Sequence, residues 1–159
     1  MTLPRDVNLP EEYSNLLKLL VPKPFKTHKS LACFCAFLGF SLHERKPLTK
    51  KYENAIKATT FDSNNDADYV MLIGVAEKKD ISILSPSLKA PKSEDKEDSD
   101  YVKIFEEYAH GGMRIVANWL EKYRGDPSKG EAIIQGMRDQ GFIPKDSNQT
   151  SIDISKIDF

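Results

Sequence analysis

Ile104-Phe105-Glu106-Glu107-Tyr108-Ala109-His110-Gly111-Gly112-Met113 is the stretch on which the fold turns. It lies inside a longer run, Asp100 to Tyr123, in which Tyr101, Phe105, Tyr108, Gly112, Ile115, Val116, Trp119 and Tyr123 recur with a period near 3.6. That spacing predicts a helix of roughly 36 Å at 1.5 Å per residue. Two adjacent glycines interrupt it. Each costs a helix interior roughly 0.5–1 kcal/mol relative to alanine. A pair therefore implies a compensating reason, such as close approach of another backbone, a kink, or a binding surface.

Working outward, two further central helices are expected. His28–Leu38 is apolar almost all round, with Thr27 as its N-cap and Gly39 closing it as a C′ residue. Ala67–Lys79 follows a polar turn, with Asp66 as its cap; a strand is the alternative for its β-branched middle. Pro10, Glu11 and Glu12 open an earlier helix with a Tyr13, Leu16, Leu17, Leu20 stripe, which Pro22 and Pro24 end. Tyr52–Ala58 reads as a short helix, and Ile81–Leu84 as a short apolar continuation. Ser128 and Glu131 have capping-box spacing for a last helix, Lys129–Gln140, ended by Gly141.

The expectation is a mainly α, single-domain helical bundle of five or six helices over residues 1–142. A mobile loop is expected near 85–99, where Pro86, Pro91 and a dense charge cluster stand, and a C-terminal arm or tail at 143–159. Arg5–Leu9 is a short extended candidate ahead of a Pro-Glu-Glu helix start. That order resembles a ribbon–helix–helix, in which two chains pair their strands and dock on DNA as a homo-oligomer. An ordinary helical hairpin fits about as well.

The 159 residues, 40% hydrophobic and 30% charged, suit one domain with a real core. No apolar run reaches the length of a membrane span, and M-T-L-P-R-D lacks a signal-peptide core, so a cytoplasmic protein is expected. Cys33 and Cys35 lie two apart on a helix and face away from one another, as isolated thiols in a reducing compartment would.

Catalytic chemistry finds little support in the residue pattern. His28, His43 and His110 have no metal-ligand spacing, and no nucleophile elbow or phosphate loop occurs. Glu106 and Glu107 point about 100° apart on a helix and make no natural acid–base pair; Glu107 to His110 is the more plausible contact. No catalytic residue, metal site or cofactor is assigned. The charge distribution says more. From Pro22 to Lys51 stand Lys23, Lys26, Lys29, Arg45, Lys46, Lys50 and Lys51, with Glu44 the only acid, in a chain of net charge −1. These seven are the candidate DNA-binding residues, as phosphate contacts; the alternative is a solvated rim around a buried helix. Phe105, Tyr108, Gly111, Gly112 and Met113 are the candidate partner-binding surface.

Several segments together resemble one family. They are F-K-T at Phe25–Thr27, A-F-L-G-F at Ala36–Phe40, R-K-P-L at Arg45–Leu48, I-G-V-A-E-K-K-D at Ile73–Asp80, I-L at Ile83–Leu84, and the Ile104–Met113 segment. Together they are similar to the proteins associated with DNA phosphorothioation (Dnd) systems as protein 4. The likeness covers about Phe25 to Trp119. It departs at His110, where the family segment is expected to carry Asn, and nothing beyond Tyr123 matches. The resemblance implies an accessory protein of a bacterial defence system that replaces a non-bridging phosphate oxygen of DNA with sulfur. DNA and other proteins of such a system are the implied partners. It implies no catalytic residue. A nuclease or nicking enzyme of the same system, and a protein–protein adaptor without DNA contact, are the alternatives.

Overall fold

The computed structural model describes residues 2–85 and 100–144. Among them are five α-helices: α1 (Ser14–Leu20), α2 (His28–Ser41), α3 (Ala67–Lys78), α4 (Tyr101–Lys122) and α5 (Glu131–Asp139). Short 3-10 turns stand between several of them, and no sheet forms among the described residues. The expected loop and arm fall, except for Ser85, Ile143 and Pro144, outside the described residues.

α4 is the axis. Asp100 caps it by accepting from the Val102 and Lys103 amides at 3.0 and 3.2 Å, satisfying two N-terminal donors. α2, α3 and α5 all pack on it. Every residue from Ile104 to Met113 is buried, so nearly three turns of helix, about 15 Å, are enclosed on all sides. The Leu16, Leu17 and Leu20 stripe of α1, the apolar face of α2, and Val70, Met71 and Ile73 of α3 join the same core as Phe105, Met113 and Trp119.

The glycines set how closely these helices approach. A Cβ on Gly112 would fall on the Cys35 carbonyl of α2, and one on Gly39 would fall on the Tyr108 carbonyl of α4. The two backbones therefore touch at reciprocal glycines. This corrects the reading of Gly39 as a helix terminator: α2 runs on to Ser41, because Gly39 is there for the crossing. α5 uses the same device, with Gly136 against the Trp119 ring.

Four other expectations are corrected. Tyr52–Ala58 is not a helix. Val7 and Ile56 exchange backbone hydrogen bonds of 2.9 and 2.8 Å, and the Tyr52 amide donates to Leu9 at 2.7 Å. The N-terminal segment thus pairs with residues of its own chain as antiparallel bridges, and the ribbon–helix–helix edge is taken. Asp66 makes no cap bond; its carboxylate pairs with Lys29. The Ser128–Glu131 capping box does not form. Asp126 caps a 3-10 turn at Pro127–Lys129 instead, and α5 starts after Gly130, whose φ of 68° turns the chain. α3 is helical throughout, so its strand alternative falls away. No helix among the described residues is long and apolar enough to cross a membrane.

Candidate functional site

A helix sealed all round should be apolar all round, yet the enclosed part of α4 carries Glu106, Glu107 and His110, exposed by 5%, 7% and 1%. Buried polar groups of this kind require partners. Each finds them on a different segment.

Glu106 receives the N-terminal segment. Its Oε1 accepts from Arg5 Nη1 at 2.6 Å and from the Asn8 amide at 2.6 Å, and its Oε2 accepts from Arg5 Nη2 at 3.1 Å. Arg5 also donates to Asp100 at 3.0 Å. Burial alone would lower the Arg5 guanidinium, but the bonds and charges of Glu106 and Asp100 outweigh it and hold Arg5 above its ordinary value. Glu107 receives the connector after α2: Arg45 Nε donates to it at 2.6 Å. Arg45 Nη1 reaches Glu77 of α3 at 3.0 Å, and the Tyr108 hydroxyl donates to the same carboxylate at 2.5 Å. Burial, then the Glu77 bond, push the Tyr108 hydroxyl up to about 12. His110 lies between the Glu12 carboxylate and, at 3.1 Å, the Pro47 carbonyl. The expected Glu107–His110 contact is absent, because each side chain is drawn to a different segment.

Residues 44–51 form a strap across this face. The Lys46 amide donates to the Glu107 carbonyl at 3.0 Å. A Cβ on Gly111 would fall on the Glu44 carbonyl, so the second glycine admits the strap as Gly112 admits α2. A cleft opens on either side. One, about 470 Å³, is lined by Arg5, Pro47, Leu48, Lys51, Asp100, Lys103, Glu106 and Glu107. The other, about 360 Å³, is lined by Pro10, Glu11, Glu12, Ser14, Thr49, Lys50 and His110.

The candidate residues from the sequence divide by environment. Phe105, Tyr108, Gly111, Gly112 and Met113 come together, but as core: all five are buried, and the surfaces they meet belong to this chain. Of the candidate phosphate contacts, Lys29 pairs with Asp66, Arg45 with Glu77 and Glu107, Lys46 with Glu12, and Lys50 with Glu11 at 2.9 Å. The Lys46 bond, then His110, hold the Glu12 carboxyl below its usual value. Lys23, Lys26 and Lys51 are exposed. The missed residues are Arg5, Glu12 and Glu77, which sit far from Ile104–Met113 in sequence; the Pro-Glu-Glu start and the Ile73–Asp80 segment contain the two glutamates without marking what they would pair with.

Among the described residues, no three His, Cys, Asp or Glu side chains are grouped so as to hold a metal ion. The carboxylates of the larger cleft are engaged already: Glu106 by Arg5, Glu107 by Arg45, Asp100 by Arg5 and two amides. What the arrangement does is hold an N-terminal segment, a strap and α3 in fixed register on α4. Four of the six segments quoted for the family likeness meet here: Ala36–Phe40 at the helix crossing, Arg45–Leu48 in the strap, Glu77 from Ile73–Asp80, and Ile104–Met113 beneath them.

Comparison with curated proteins and with solved structures gave no match. A family model described as DNA sulphur modification system-associated protein 4 matches residues 6–157, which extends the likeness beyond Phe25–Trp119 to Asp6 and into the tail. By that match, the chain belongs to the family of DNA sulphur modification system-associated protein 4.

Proposed function

We propose that the protein is a non-catalytic, cytoplasmic accessory of a DNA phosphorothioation-linked defence system and acts by contacting DNA. The observation that carries the first half is the closure of its buried acids. A metal-dependent nuclease needs carboxylates free to ligate. Here Glu106 and Glu107 are charge-paired with arginines at 2.6 Å, and opening either pair would strand a partly buried cation. The DNA contact is supported by family membership and by the exposed lysines Lys23, Lys26 and Lys51.

The test is a salt series of binding to labelled duplexes, with and without backbone sulfur, together with incubation of both with magnesium or manganese. The expected result is binding that weakens steeply with salt, since phosphate contacts release counterions, and no nicking. Metal-dependent cleavage would overturn the non-catalytic assignment; no binding at low salt would overturn the DNA contact.

A second reading, a protein–protein adaptor, is favoured by one surface. Tyr69 and Leu72, one turn apart on α3, and Ile81 after it are exposed by 37%, 56% and 75%, apolar groups of the kind a protein partner would cover. Co-purification with the other proteins of the system, lost on Leu72→Glu, is the outcome that reading requires.

A further inference from the structure

The sequence concentrates its candidate phosphate contacts between Pro22 and Lys51, but the fold neutralises four of them with carboxylates. Among the described residues, unneutralised charge gathers at one end of the molecule, only partly within that stretch. α1 packs against the Pro127–Lys129 turn, and this brings two basic segments, about a hundred residues apart in the chain, to one end of the molecule. Residues 14–26 and 122–130 together carry six cations, with Asp126 the only acid; Glu121 and Glu131 stand at the border. Asp126 uses its carboxylate on the Ser128 amide and hydroxyl at 3.0 and 2.7 Å. Lys18, Lys23, Arg124 and Lys129 are exposed, and none makes a salt bridge or side-chain hydrogen bond among the described residues; Lys129 meets Asp126 through charge alone.

Lys18, Lys23 and Arg124, with no carboxylate beside them among the described residues, and Lys129, whose one acidic neighbour is Asp126, create a local positive field on two abutting segments in a chain whose net charge is −1. All four stand in solvent, so no buried contact explains them. Their spread over a helix end and a neighbouring turn suits a repeating line of anions better than one compact anion. We infer that Lys18, Lys23, Arg124 and Lys129 form the surface that meets the phosphate backbone of duplex DNA. The inference rests on the DNA-contacting reading above and replaces most of the residues by which the sequence would deliver it.

The experiment compares the full chain, the variant K18Q/K23Q/R124Q/K129Q and a control, K46Q/K50Q, by fluorescence anisotropy of a labelled duplex across a salt series. Each phosphate contact contributes about 0.9 to the slope of log K against log salt. The fourfold variant should bind at least about tenfold more weakly at low salt and lose about 3.6 from that slope, whereas the control should keep both. All four side chains are exposed, and circular dichroism melting checks that the variant is folded. Single Lys→Gln changes at 18 and 23, each lowering the slope by about 1, give the same reading should the fourfold variant melt early. Unchanged affinity and slope in the fourfold variant, with the wild type binding normally, would overturn this surface and leave DNA contact standing. A wild type that binds no duplex would overturn both.

Discussion

At the scale of single residues, the glycines of α4 are the sharpest case of sequence anticipating structure. Their cost to a helix demands compensation, and they are repaid by contact: Gly111 faces the Glu44 carbonyl and Gly112 the Cys35 carbonyl. Gly112→Ala should gain the helix propensity of alanine, up to about 1 kcal/mol, and lose more, because a backbone cannot move aside as a side-chain tip can. We expect a net destabilisation of about 2 kcal/mol or more, read as a lower urea midpoint with unchanged slope. Gly125→Ala is the contrast. The new methyl meets only the flexible end of Glu131, so the midpoint should hardly move. Equal losses at both positions would show that the contact is not the cause. The spacing of the pair is visible in the sequence, but the identity of what fills the gap is not, since Cys35 and Glu44 are some seventy residues away.

At the scale of elements, what could be read depended on whether the signal was local. α4 announces itself through apolar periodicity, α2 and α3 through unbroken apolar content, and Thr27 caps α2 as its position suggests, accepting from the Ser30 amide at 3.1 Å. Tyr52–Ala58 fails for the opposite reason. Its composition permits a helix, but Ile56 is buried and exchanges backbone bonds with Val7, a pairing across about fifty residues that no local pattern encodes. Ser128 and Glu131 show the limit of motif spacing, because Asp126 and Gly130 divide the same residues between a turn and a helix. The α4 cap joins both kinds of information. Asp100 serves two helix amides and Arg5. Asp100→Ala should therefore cost about 1–2 kcal/mol, more than Thr27→Ala. It should also raise amide exchange in both the first turn of α4 and residues 5–9. Exchange confined to the helix end would mean that the Arg5 link is idle.

At the scale of the whole molecule, α4 is a polar-bearing helix placed where an apolar one would be expected, and arginine and carboxylate pairs make that placement tolerable. Such pairs add little net stability but penalise any arrangement that leaves one member behind. The same enclosure governs the two cysteines. Both are fully buried on α2; burial, then the charge of Asp66, push the Cys33 thiol up to about 12, and burial pushes Cys35 higher still. Since the thiolate is the reactive form, labelling by a disulfide reagent in native buffer should follow unfolding of the core and run at least about a thousandfold slower than in denaturant. A rapid native phase would show that α2 opens by itself. The sequence by itself determined the helical class, the three central helices, the need for close packing at Gly111–Gly112 and the family likeness, because periodicity, caps and short motifs are local properties. Only the tertiary structure decided that Glu106, Glu107 and His110 are core groups, that the N-terminal segment pairs within its own chain, and which cations remain unpaired. Whether a charge is spent or free depends on what the fold brings beside it, and the partners here lie up to about a hundred residues away.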